Sequence, residues 1–385
     1  MAQALVVHGG TVLSPTGWLP DCDVQIADGH VVGVGAHAPA GGAAAIDARG
    51  HLIVPGFIDV HVHGAAGAMF EDGQEDGVER ISAQLAQFGV TGIAATVAAL
   101  PPERLEVVVH AIARAAPRCS GARILGIHLE GPFLNSQRAG AQHAGWMRAP
   151  SIDEVDALQV ASGGMIRLIT VAPELPGALA FIAAVRARGI AVALGHSQAS
   201  EEHVLAAIVA GARHVTHLFN AMAPFHHRDP GLIGTALTDD RLSVELIADG
   251  VHLHRRALDV ALRCKPADKL VLISDGVAAV GQPDGDFELF GVPCVARDAV
   301  RVRSSGQLAG SRLTLDRALR NLRAWFPNLA LERLLAAATA APAALLGCDD
   351  RGRAITSGGA ADLVVLTPAL EVAVTIAAGR VVHRR

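Results

Sequence analysis

The apolar positions of this chain change period along its length. Residues 1–50 alternate short β-branched runs with turn dipeptides: ALVVHGGTVL, then DVQIADGHVVGVG, with GG and DG as tight-turn signals. This reads as a small antiparallel meander. The closing run ADLVVLTPALEVAVTIAAGRVVHRR has the same character, with AGR as a turn. Between these ends, strand-like runs alternate with helical patterns such as GVERISAQLAQFG, PERLEVVVHAIARAA and EEHVLAAIVAGA. The first strand, within 52–60, runs into His61 and His63. Others lie at GIAATV (92–97), ILGIHLE (124–130), IRLITVAPE (166–174), IAVALGHS (190–197), HVTHLFN (214–220), SVELIAD (243–249) and KLVLISD (269–275).

About eight strands with intervening helices predict an α/β fold, a TIM (β/α)8 barrel, over residues 53–351. The two β-rich ends, 1–52 and 352–385, are expected to pair into a small β-sandwich domain. Ser200 ahead of Glu201 and Glu202 predicts a helix cap with an acidic first turn. The link between strands 6 and 7 is short and contains PGLIG, which argues against a regular helix there. Residues 276–310 read as a hairpin insertion, and helices are expected to resume at 311–324 and 329–346.

Composition narrows the class. Hydrophobic residues make up 51% and charged ones 18%, enough for a large core and too apolar for wholesale disorder. Aromatic residues are only 3%, with no Tyr, so Ala, Val, Leu and Ile must build the core. A net charge of −5 and a pI near 6.4 give no support for nucleic acid or an anionic membrane as partner. No basic, apolar leader and no run long enough to span a bilayer is visible. The cysteines, Cys22, Cys119, Cys264, Cys294 and Cys348, are scattered and odd in number. That fits reduced thiols and a cytoplasmic location.

Chemistry concentrates at the strand ends, where a barrel places its sites. Strand 1 ends in His61 and His63, whose alternate spacing sends both rings to one face. Strand 3 ends in His128 and Glu130, and strand 5 in His196. Strand 6 carries His217, and strand 8 ends in Asp275. A lone His on an apolar strand is more often a hydrogen-bonded core residue, and a terminal carboxylate is often a helix cap. Several such groups at one end of successive strands point instead to a divalent metal with an open position for water.

These residues carry a resemblance. The HxH after strand 1, the His after strands 5 and 6 and the Asp after strand 8 look like the amidohydrolase superfamily. HLEGPFLN (128–135), GHS (195–197), THLFNAM (216–222), ADGVH (248–252) and SDG (274–276) are similar to its N-acetylglucosamine-6-phosphate deacetylase family, over nearly the whole chain. Many two-metal amidohydrolases bridge their ions with a carbamylated Lys on strand 4. Here strand 4 has none, since only Lys265 and Lys269 occur, and Glu130 is the available carboxylate.

The resemblance implies one ion held by Glu130, His196 and His217, and a second held by His61, His63 and Asp275 with Glu130 as bridge. Zn²⁺ is the first choice, with iron or another divalent ion as alternatives, at one or two ions per chain. Asp275 would be the general base and then acid. Arg228 in HHRDPG, with Asn220, Ala221 and His252, matches the family's phosphate and substrate contacts, some of which reach across a homodimer interface. Family members commonly carry a carbonyl-polarising His some ten residues after EGP. This chain has Gln142 in the matching place and His143 next to it, so either could serve.

The function implied is metal-dependent deacetylation of N-acetylglucosamine 6-phosphate. N-acetylgalactosamine 6-phosphate is the second substrate, and a non-phosphorylated N-acyl or cyclic amide the rival within enzymes. A catalytically dead binding relative would have lost ligands, and none of the six is missing. A barrel aldolase would need a Lys on a strand, and none is placed for it.

Overall fold

The computed structural model describes residues 4–35, 44–289, 291–348, 351–352 and 354–385. Eight strands pair in parallel and in chain order: Phe57–Val62, Val90–Ala98, Arg123–Glu130, Ile166–Val171, Ala191–Leu194, His214–Val215, Ser243–Leu246 and Leu270–Leu272. The eighth returns to the first, where Asp275 N–H donates to His61 O at 2.9 Å and His63 N–H to Gly276 O at 2.8 Å. The expected TIM barrel is present. Its strands are covered on both faces, which is why they read as unbroken apolar runs. Every residue of Val90–Ala98 is buried.

The surrounding helices bury one stripe each. Glu75–Ala86 turns Val78, Ile81 and Leu85 inward, and Pro102–Ala115 does the same with Leu105, Val108, Val109 and Ile112. Ser200 caps Glu201–Ala210 as its position predicts, its side chain accepting from His203 N–H.

Three segments differ from expectation. A helix does form after strand 6, at Gly231–Thr238. Pro230 starts it with a fixed φ of −70°, and Leu232, Ile233, Ala236 and Leu237 are all buried. The strand-8 insertion is more than a hairpin. Gly285–Leu289, Val292–Ala296 and Val300–Val302 form a three-stranded antiparallel sheet with its own apolar cluster, including Leu289, Cys294 and Val300. The later helices run Leu315–Trp325, Leu331–Ala338 and Ala340–Leu345, the last two parted at Thr339, where φ is −133° and ψ −78°.

The two chain ends meet. Leu5–Ser14, Gly17–Ala27 and His30–Gly35 make the predicted meander. Ala44–Asp47 and Leu52–Pro55 join the first of these in parallel. Leu363–Leu366 then pairs with Leu52–Pro55, and Val372–Ala377 and Arg380–Arg384 extend the sheet. Val7, Val24, Ile53, Val365 and Ile376 give this β domain a core separate from that of the barrel. Asp362 in the C-terminal segment pairs with Arg123 of the third barrel strand and ties the two parts together. Among the described residues no helix is long and apolar enough to cross a membrane.

Candidate metal centre and substrate cavity

Each ligand candidate stands at the carboxyl end of a barrel strand because the local chain puts it there. His61 lies in the first strand and His63 just past its end. Gly64 follows, and a Cβ there would fall 2.2 Å from Ala68 O. Glu130 is the last residue of strand 3. His196 and Asp275 lie beyond the ends of strands 5 and 8. His217 lies beyond strand 6, which is only His214–Val215 and shorter than the sequence suggests. His196, His217 and Asp275 have φ of 48°, 27° and 49°, a left-handed backbone rarely taken by residues other than glycine. Such strain clusters at functional sites.

The six residues converge as two groups, His61–His63–Asp275 and Glu130–His196–His217. All are buried except Asp275, which is half-buried. Glu130 joins the groups. Its Oε1 lies 3.0 Å from His196 Nε2 and 2.9 Å from His217 Nε2, while His61 Nε2 stands 3.4 Å from Oε1 and His63 Nε2 3.3 Å from Oε2. Asp275 Oδ1 closes the other side, 3.5 Å from His61 Nε2 and 3.6 Å from His63 Nε2.

The outer ring nitrogens fix the tautomers. His61 Nδ1 donates to Glu245 Oε2 at 2.8 Å, His63 Nδ1 to Glu71 Oε1 at 2.7 Å, and His196 Nδ1 to Arg138 O at 2.7 Å. Each therefore turns an Nε2 lone pair inward, the arrangement usual for metal-ligating imidazoles. Among the described residues, buried His61 Nε2 has no hydrogen-bond partner. His196 Nε2 and His217 Nε2 face each other at 3.0 Å. A cluster of inward lone pairs around shared carboxylates suits a divalent cation.

The field agrees. Burial opposes charge on His63, yet Glu71 and Glu130 outweigh it and raise its pKa to about 10, so the carboxylates draw positive charge, a proton or a metal ion, onto the inward Nε2. Burial likewise opposes charge on Glu130, and His61 and His196 overcome it and hold the carboxyl well below its ordinary range. The pocket favours positive charge beside ionised carboxylates. His128, two residues before Glu130, takes no part. Its Nδ1 faces Val60 O and Thr96 Oγ1 and its Nε2 meets Thr170 Oγ1, and burial pushes its pKa down to about 3. It is the hydrogen-bonded core histidine.

The groups open into a cavity of about 320 Å³. Gln142, Asn220, Ala221 and His252 line it with all the ligands but His61, and Val277, Leu289 and residues 307–310 complete the lining. Gln142 accepts Ala99 N–H at 2.8 Å and donates to Glu130 Oε2 at 2.6 Å. His252 Nδ1 pairs with Asp249 at 2.7 Å.

Two predicted contacts are not brought in. His143 is exposed and stacks on Trp146, with ring centroids 4.5 Å apart. Arg228 sits on an exposed loop, its Nη1 on His227 Nε2 at 2.8 Å. Glu71, Glu245, His214 and the lining residues 307–310 were not singled out in the sequence, where none belongs to a recognisable motif. An acidic residue inside the apolar run SVELIAD was the one available signal, for Glu245.

Known proteins bear on this arrangement. An N-acetylglucosamine-6-phosphate deacetylase from Lysinibacillus sphaericus is 35% identical over 98% of this chain and 97% of its own length. An N-acetylgalactosamine-6-phosphate deacetylase from Escherichia coli O157:H7 is 34% identical over 95% and 96%. The structure of an N-acetyl-D-glucosamine-6-phosphate deacetylase from Mycobacterium smegmatis in complex with N-acetyl-D-glucosamine-6-phosphate matches with a TM-score of 0.90 at 35% identity, covering 99% of both chains. The amidohydrolase family model matches residues 52–382. With that match spanning most of its length, the chain belongs to the amidohydrolase family, a metal-dependent family of hydrolases.

Proposed function

We propose that the chain hydrolyses the acetamide of N-acetylglucosamine 6-phosphate to acetate and glucosamine 6-phosphate. The observation that carries this reading is Glu130, one buried carboxylate shared by two imidazole groups at the floor of a cavity that also holds Asp275. In this reading Glu130, His196 and His217 hold one divalent ion. His61, His63 and Asp275, with Glu130 as bridge, hold a second. Zn²⁺ is the first choice for such a nitrogen and oxygen donor set, with iron or another divalent ion as alternatives. A bound ion would polarise the amide carbonyl and acidify water at the site.

The chain's own groups do the rest. Asp275 takes a proton from the attacking water and returns it to the leaving amine. Because Gln142 Oε1 accepts Ala99 N–H, its NH₂ must face Glu130 and the cavity. One N–H goes to Glu130, and the second serves the substrate carbonyl in place of a histidine. Asn220, Ala221 and His252 receive the phosphorylated end of the sugar.

Arg228 suits a phosphate by its planar fork, but within one chain it lies outside the cavity. Its loop also exposes Phe225. Both features support a homodimer in which one copy's loop supplies Arg228 to its neighbour's cavity.

N-acetylgalactosamine 6-phosphate is the second reading, favoured by the likeness to the Escherichia coli relative. The test is acetate release from the two phosphorylated sugars and from unphosphorylated N-acetylglucosamine, each with and without chelator. Chelator-sensitive release, fastest from N-acetylglucosamine 6-phosphate, is expected. Equal release from the unphosphorylated sugar would overturn the phosphate assignment.

A further inference from the structure

We propose that Glu245 is the positioning residue that fixes both candidate ligand groups at once, a role that rests on reading the site as a metal centre. Glu245 stands in the seventh barrel strand, fully buried, and does not line the cavity. A single oxygen, Oε2, accepts from both groups: His61 Nδ1–H at 2.8 Å, and the backbone N–H of His217 at 2.9 Å. The first bond aims His61 Nε2 inward. The second holds the backbone of His217, whose φ of 27° it helps to stabilise.

The other oxygen, Oε1, accepts His214 Nε2–H at 3.0 Å, and His214 Nδ1 in turn meets Ser243 Oγ at 2.7 Å. His214 of strand 6 and the backbone of His217 just beyond it thus bear on one carboxylate of strand 7, and His61 of strand 1 reaches it across the barrel interior. The carboxyl of Glu245 accepts three N–H groups, from His61, His214 and His217, and donates to none, the pattern of an ionised carboxylate. The charge is therefore present, and it strengthens the imidazole it orients.

A merely structural carboxylate would affect folding alone. A positioning one also sets how tightly ions are held in protein that has folded. Glu245→Gln separates the two. Its carboxamide oxygen can still accept from His61 and His217 while its NH₂ turns to His214. His214 then moves its proton to Nδ1 and donates to Ser243, whose hydroxyl turns to Arg213 O at 3.2 Å. Shape and hydrogen bonds persist and the charge is gone. Glu245→Leu removes both acceptors as well.

The experiment titrates Zn²⁺ into wild-type and variant protein against a chromophoric chelator, with circular dichroism to establish folding. Each ion the wild type retains should be held about 10-fold more weakly in Glu245→Gln, and about 100-fold more weakly in Glu245→Leu if that variant folds. Folded Glu245→Gln with wild-type affinity overturns the proposal. So does weakening confined to the ion of the His61–His63–Asp275 group, because the link through His217 is the claim. Wild-type protein that holds no ion would instead remove the metal reading itself.

Discussion

Asp275 N–H donates to the carbonyl of His61 at 2.9 Å, so the seam that closes the barrel also joins the proposed base to a proposed ligand. Two strand ends 214 residues apart in sequence are locked in register by this backbone bond. The side chain of Asp275 is thereby fixed at the cavity floor whatever it does chemically, and its substitution tests chemistry more than folding.

Asp275→Asn keeps the shape and that backbone bond. It should retain the ion of the Glu130–His196–His217 group and lose about 10²- to 10⁴-fold in kcat, the range of general acid–base catalysis. Acetate release with parallel metal analysis checks it. Turnover within a few-fold of wild type would take Asp275 out of the mechanism.

The second ion depends on the first strand. Replacing His61 and His63 together by Ala should lower the bound metal from two ions to one, since Glu130, His196 and His217 remain as a complete group. If elemental analysis finds a single tight ion in the wild type, and the same in the double variant, the two-ion centre is wrong.

Arg228→Ala should raise KM for the phosphorylated sugar by about 10-fold or more, the scale of removing one charge-assisted hydrogen bond, with kcat little changed. KM for unphosphorylated N-acetylglucosamine should not move. Because Arg228 lies outside its own cavity, mixing it with an inactive Asp275→Asn partner should restore half-sites in heterodimers. No gain on mixing would place the arginine's action within one chain.

The pH dependence follows from Asp249 and His252. Burial works against a charged His252, but the hydrogen bond it donates to Asp249 outweighs it and raises its pKa above the ordinary 6.5. A raised imidazole pKa keeps the ring cationic to higher pH, so its hold on phosphate fades as pH rises through the folded value. The pair's contribution to stability has the same sign: it is complete below 6.5 and lost on the alkaline side. Asp249→Asn still accepts the N–H groups of Val251 and His252 but removes the charge. The alkaline rise in KM should then begin at lower pH. Superimposable KM–pH curves for the two proteins would leave His252 without an electrostatic part in binding.

What could be read in the sequence followed from periodicity. Buried parallel strands are apolar throughout, so His61, Glu130, His196 and Asp275 stood out against them. His217 stood out as well, but the run HVTHLFN places it within a strand. The chain leaves the sheet at Val215 and turns left-handed, which no propensity reports. The helix Gly231–Thr238 was hidden because its two glycines mask an apolar stripe that only packing reveals. Gln142 and His143 are neighbours in a loop, and which of them faces inward is set by Ala99 N–H and Trp146, both distant or non-periodic cues. Glu245 was one acid among many until its partners on strands 1 and 6 came together around it.

His196, His217 and Asp275 sit where an L-residue costs roughly 1–3 kcal/mol each. Glycine would relieve that cost at all three positions and abolish three of the groups that face the cavity. A screen for thermotolerance that ignores turnover will therefore collect its winners at the positions turnover can least do without.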